Sequence, residues 1–189
     1  MAGAPVIRRY LDPEKFKMVK RDSPRLVKFI NESGGEYSFQ LRENYFNIYY
    51  QGNSLAKVVP NKSGTYSVEI HREFVKGSVL TKLARYSVNK PSQTAESKSK
   101  YVNFTIRSQN LHQFFQRANI NSLSSKIRAV HNGEEITFEQ AVITDNPPSR
   151  NLIIIDRQVA DKENRAQIDL LALKRDSTNK PFHFVVIEV

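Results

Sequence analysis

Two carboxylates near the C-terminal end stand where a carboxylate is costly. Asp169 lies within Ala166-Gln167-Ile168-Asp169-Leu170-Leu171-Ala172-Leu173, and Glu188 within Phe182-His183-Phe184-Val185-Val186-Ile187-Glu188-Val189. Both runs have the composition of strands. A charged carboxylate among Ile, Leu and Val gives up hydration, so it needs a cation or a hydrogen-bonded partner in return. Two such strands side by side offer the hard oxygen ligands that Mg²⁺ (or Mn²⁺) prefers, with positions left for water and a substrate phosphate. A cation held there activates water and neutralises charge developing on the phosphate. A plainer arrangement stays open for each residue. Asp169 could be a strand-end aspartate paired with Arg165 or with solvent, and Glu188 a glutamate on the wet face of an edge strand.

The surrounding order of residues is more telling than the two carboxylates alone. Arg165-Ala166-Gln167-Ile168-Asp169-Leu170-Leu171 leads through a polar turn, Lys174 to Pro181, into Phe184-Val185-Val186-Ile187-Glu188-Val189. This stretch resembles the PD-(D/E)xK nuclease superfamily, in its Arg-x-Ile-Asp-Leu-Leu, turn, Val-Val-Ile-Glu-x-Lys layout, with two residues rather than one between Arg165 and Ile168. The resemblance implies Asp169 and Glu188 as catalytic metal ligands and the backbone carbonyl of Val189 as a further ligand. It implies a glutamate on the first helix of the core, for which Glu139 is the choice and Glu135, one turn earlier, the rival. Arg165 joins Lys126 and Arg128 as a candidate nucleic-acid contact. The lysine of Glu-x-Lys would be the residue after Val189, so the parent protein is expected to continue with it. The 189 residues alone are expected to cleave orders of magnitude more slowly than a chain that includes it. The implied activity is Mg²⁺-dependent hydrolysis of phosphodiester bonds in DNA, and a homodimer is one implied assembly, since many such nucleases cut two strands as dimers.

The elements that must position these residues follow from pattern. Residues 133–189 read as a truncated nuclease-like core, αβββ: a helix from Glu134 to Asp145, a strand from Asn151 to Gln158, and the two strands above. The apolar run Leu152-Ile153-Ile154-Ile155 suggests a strand buried on both faces. Asp156 stands where that strand is expected to end, where it either approaches the metal or, preferably, caps the turn. Residues 1–132 read as a separate α+β domain that binds nucleic acid or a partner. Its first helices break around Ser23-Pro24, with Ser23 as N-cap and Pro24 at the first helical position. Four short strands then follow, near residues 37–41, 45–50, 54–59 and 66–70, spaced as an antiparallel meander. A helix is expected over Phe74–Tyr86, an exposed polar loop over Asn89–Lys100 and a strand over Tyr101–Arg107. Helices with Leu111, Phe114, Phe115, Ala118, Leu123, Ile127 and Val130 on their apolar side close the domain, with Arg117, Lys126 and Arg128 outward.

The aromatic strands carry a second kind of chemistry. Tyr45, Tyr49 and Tyr50 could stack under the bases of a single strand, with Arg42, Lys57 and Arg72 on its phosphates. The alternative is that these rings fill the core and edges of a small sheet. A net charge of +10 over 189 residues favours polyanionic partners, nucleic acid first among them. Cysteine is absent, which excludes disulfides and thiolate metal sites and accords with a reducing cytoplasm. His71, His112, His131 and His183 lack zinc-site spacing. Only His183 falls near the proposed site. No run has the length of a membrane span and no signal-peptide core opens the chain, so membranes are not an expected partner. A non-enzymatic nucleic-acid-binding module, with structural carboxylates and a degenerate nuclease core, is the rival to the nuclease.

Overall fold

Asp12 starts the first helix by accepting a hydrogen bond from the Glu14 amide (3.0 Å), with Pro13 at the first helical position. The computed structural model describes residues 11–89, 91, 99–130, 138, 141–143, 145–146, 151–161, 166–177 and 179–187, with the backbone alone for 156–161 and 166–168. The chain divides into two compact units, Arg8–Asn132 and one that contains Gly133–Val189.

In the first unit α1 (Pro13–Asp22) and α2 (Pro24–Asn31) are separated at Ser23. Ser23 takes the cap position, but its hydroxyl does not cap α2. It turns back and donates to the Val19 carbonyl (2.5 Å), which also accepts the Ser23 amide (2.9 Å), so the buried hydroxyl is satisfied within the preceding turn. The sheet follows: β1 (Tyr37–Arg42), β2 (Tyr45–Tyr50), β3 (Asn53–Asn61), β4 (Thr65–His71) and β5 (Tyr101–Arg107), antiparallel in the order β1-β2-β3-β4-β5. Gln51 and Gly52, both at positive φ (42° and 82°), make the two-residue turn between β2 and β3. A register shift at Ile48/Tyr49 leaves Leu55 of β3 outside the ladder as a bulge.

Alternation assigns the two faces of this sheet. Phe46, Ile48, Val58, Tyr66, Val68, Ile70, Phe104 and Ile106 are buried and share one core with Leu26, Ile30, Leu83, Phe114, Ile120, Leu123 and Ile127 of the helices. Phe104 meets Phe114 edge to face at 5.3 Å. Among the described residues the helices therefore cover one face. The opposite face carries Tyr45, Asn47, Tyr49, Lys57, Glu69, Asn103 and Thr105, half-buried or exposed apart from Asn47.

The helix expected over Phe74–Tyr86 is two pieces. A 3₁₀ turn spans Arg72–Val75 and α3 spans Ser78–Ala84, because Lys76 is extended and Gly77 sits at φ 65°, ψ −132°. After β5, a 3₁₀ turn (Ser108–Asn110) leads to α4 (Leu111–Phe114) and α5 (Arg117–Val130). The break at Phe115-Gln116 resets the helical phase, so Ala118 and Val130 are exposed rather than apolar-face residues, and Asn119 turns inward. Its amide donates to the Gln113 and Phe114 carbonyls (3.2 and 3.0 Å) and closes the end of α4. Asp22 ties α1 to the sheet: it accepts from Arg21 Nε (2.6 Å), from the Tyr66 phenol (2.9 Å) and from the Ser108 hydroxyl.

In the second unit Phe138, residues 141–143 and Asp145 are helical. Three antiparallel strands follow, β6 (Leu152–Asp161), β7 (Ala166–Lys174) and β8 (His183–Ile187), in the order β6-β7-β8. Two expectations are corrected here. The first strand does not end at Asp156: a bulge between Ile154 and Asp156 absorbs one residue and the ladder runs on to Asp161 opposite Ala166. Nor is its apolar run buried on both faces, since Ile155 is exposed; the sheet is an antiparallel meander, which can leave a face open. Leu170 and Ala172 of β7 are buried, while Phe184 and Val186 of β8 are 72% and 51% exposed. Among the described residues no helix is long and apolar enough to cross a membrane.

Candidate functional site

Asp169 occupies the middle of β7, flanked on the β6 side by the pairs Ile168 with Val159 and Leu170 with Arg157. Its side chain is half-buried. On the β8 side the register runs from Lys174 opposite His183 to Leu170 opposite Ile187, one step short of Asp169. Side chains alternate along a strand, so Asp169, Leu171 and Leu173 share a face, opposite to that of Leu170 and Ala172. Leu171 pairs with Val186 and Leu173 with Phe184, so the exposed residues of β8 lie on the Asp169 face. Asp156 stands across from Leu171, two residues along β7 from Asp169.

Of the residues expected at this centre, Asp169 is the one whose side chain is described. Glu188, Val189, Glu139, Glu135 and Arg165 lie outside the described residues. His183 is corrected: it pairs with Lys174, five residues from Asp169, or about 17 Å along the strand. It therefore does not adjoin Asp169. Among the described residues no group of three or more His, Asp or Glu side chains is gathered to hold a metal.

A second chemical surface belongs to the first unit. Arg8–Asn132 holds 22 Lys and Arg against nine Asp and Glu, net +13, whereas the remainder holds seven against ten, net −3. The entire basic excess thus belongs to one unit. Arg117, Lys126 and Arg128 are exposed on α5 in the helix layer, and Arg128 places its guanidinium carbon 5.7 Å from the centre of the Tyr50 ring.

The tyrosines of β2 divide between the faces. Tyr50 is buried against Tyr37 (5.0 Å) on the helix-covered face, so it is a core residue and not a stacking platform. Burial pushes its phenol up from the ordinary range. Tyr45 and Tyr49 lie on the other face. The Lys57 ammonium is 5.1 Å from the centre of the Tyr45 ring, and the Arg42 guanidinium carbon is 5.9 Å from that of Tyr49. Arg42 also donates to the Tyr49 hydroxyl (3.4 Å), and Lys57 pairs with Glu69 (3.2 Å).

Arg72 is half-buried in the 3₁₀ turn that follows β4. Its Nε is buried without a hydrogen-bond partner among the described residues, beside a cavity of about 400 Å³ lined also by Val75, Leu80 and Val102. Sequence reasoning passed over Tyr101, which is 51% exposed on the same face as Tyr45 and Tyr49, edge-on to His71 at 5.7 Å. The signal was present: in Tyr101-Val102-Asn103-Phe104-Thr105-Ile106 the tyrosine falls on the polar phase of the alternation. No protein-family model, no curated protein and no solved structure matches this chain.

Proposed function

We propose that the chain contributes metal ligands to a metal-dependent nuclease that hydrolyses phosphodiester bonds of DNA, with its basic unit supplying affinity for the polyanion. The observation that carries this reading is the register of β7 and β8. It stops, among the described residues, one step before Asp169. Glu188 follows β8 directly in sequence, and β7 and β8 are hydrogen-bonded antiparallel neighbours with Asp169 on the face shared by Leu171, Leu173, Phe184 and Val186. A helical stretch followed by three antiparallel strands also agrees with the αβββ order of a PD-(D/E)xK core.

The donor set fits a hard cation. By the resemblance, Asp169 and Glu188 would hold Mg²⁺ through carboxylate oxygens, with the Val189 carbonyl as a further ligand and Glu139 as an additional catalytic carboxylate. When bound, the ion supplies an activated water and neutralises charge on the phosphate. The chain's own residues set the rest. Leu171, Val186 and Phe184 share the Asp169 face, with Val186 and Phe184 exposed to solvent. The net charge of −3 outside Arg8–Asn132 gives no cationic surplus to meet a phosphate, a charge that a bound cation would supply.

That same asymmetry supports a second reading, a nucleic-acid-binding module whose affinity comes from the +13 unit and whose carboxylates are structural. Mn²⁺ titration followed by electron paramagnetic resonance separates the two. The nuclease reading expects a bound ion that Asp169→Asn releases, with nucleic-acid affinity in EDTA unchanged. A wild-type chain that binds no Mn²⁺ leaves the binding module standing.

A further inference from the structure

We infer that the open face of the five-stranded sheet binds unpaired nucleic-acid strands, with Tyr45, Tyr49 and Tyr101 stacking on bases and Arg42 and Lys57 meeting phosphates. The ligand class, nucleic acid, rests on the proposed function; the residues belong to a different unit from Asp169, so the two ideas fail separately.

The face is not half of a missing core. The register aligns Gln40, Asn47, Lys57, Glu69 and Asn103 as one polar row across all five strands. Asn47 in this row is buried and accepts from Ser54, and Lys57 pairs with Glu69, while Gln40, Lys57, Glu69 and Asn103 stay half-buried or exposed and present polar groups to base edges. The tyrosines stand to either side of this row. Tyr49 and Tyr101 fall towards the same end of the sheet, three strand spacings or about 14 Å apart.

Each ring of β2 already has a cation at hand. Lys57 over Tyr45 and Arg42 over Tyr49 form the ring-and-cation pairing that a nucleotide requires, a flat surface for its base and a positive group for its phosphate. These contacts are solvent-accessible: the Lys57 side chain is 40% exposed. A cation resting on a ring can move to a phosphate as the base takes its place. The unit's net charge of +13 supplies the complementary field.

Strand geometry selects unpaired over duplex nucleic acid. Five strands at about 4.8 Å spacing present a face about 19 Å wide, and the duplex major groove is about 12 Å wide. The sheet cannot enter it, and duplex base faces are stacked on one another and closed to tyrosine. An unpaired strand exposes those faces.

The test uses the full chain in EDTA, so that no cleavage intervenes. Fluorescein-labelled oligo-dT, a mixed-sequence single strand and the matching duplex are titrated and followed by anisotropy. With eight tyrosines and no tryptophan, quenching of tyrosine emission gives a second readout. The single strands should bind more tightly than the duplex. Tyr45→Ala and Tyr49→Ala should each weaken single-strand binding by about five- to 150-fold, while Tyr45→Phe and Tyr49→Phe retain it. Duplex binding as tight as single-strand binding overturns the inference. So does a Tyr45→Ala/Tyr49→Ala double variant that binds like wild type, or Phe variants as weak as the Ala ones.

Discussion

Asp22 joins Arg21, Tyr66 and Ser108, and of these only Arg21 is near it in sequence. It ends α1, where the helix dipole disfavours a negative charge. Its compensation comes from Tyr66, 44 residues on, and Ser108, 86 residues on, together with adjacent Arg21. Burial alone would raise its pKa, but the hydrogen bonds from Arg21, Ser108 and Tyr66 outweigh it and hold the carboxyl below its ordinary value of 3.8. Burial, and then Asp22 itself, push the Tyr66 phenol well up, so it remains a donor at every working pH. Because the folded-state pKa is depressed, this stabilisation is present above about pH 4 and is lost as pH falls through the lowered value. Tyr66→Phe removes one hydrogen bond to a charged acceptor and should cost about 1–2 kcal/mol in urea unfolding at pH 7. The gap between wild type and variant should narrow on acidification below pH 4; a gap that widens there contradicts the assignment. Tyr49 and Tyr50 show the same limit of local reading. Adjacent residues in a strand must face opposite ways, but which one enters the core depends on strand pairing that neither residue encodes.

At the scale of elements, legibility followed turn chemistry. The first four strands were readable because Glu43-Asn44, the Gly52 region and Asn61-Lys62-Ser63-Gly64 punctuate them, and the structure places turns there. Helix interruption was harder, because Phe74–Tyr86 keeps apolar residues at helical spacing and hides a break that only backbone conformation reveals. Gly77 is the residue responsible. Its φ of 65° with ψ of −132° is closed to residues bearing a Cβ, even though a Cβ placed there would meet nothing within 4 Å. Gly77→Ala should therefore destabilise by about 1–3 kcal/mol through backbone strain alone, with no loss from crowding. Denaturant unfolding measures this, and a neutral or stabilising result would mean that a continuous helix is attainable. The bulge at Ile155 is the corresponding case in the second unit: a run of isoleucines gives no sign of the residue at which the ladder slips.

For the whole molecule, the net charge of +10 concealed a division between a +13 unit and a −3 remainder, because a sum over the chain discards position. The division has a measurable consequence. Each phosphate neutralised on a single strand releases counterions and contributes about 0.7 to the slope of log affinity against log salt. Lys126 and Arg128 stand on the helix layer, whereas Arg42 and Lys57 stand on the opposite face of the sheet. A short oligonucleotide laid on one face leaves the other untouched. Arg42→Gln and Lys57→Gln should each flatten the salt dependence of single-strand binding by about 0.7, and Lys126→Gln with Arg128→Gln should leave it unchanged. The reverse pattern, with the slope falling only for the α5 pair, would move the nucleic-acid surface to the helix layer and return the tyrosine face to a structural role.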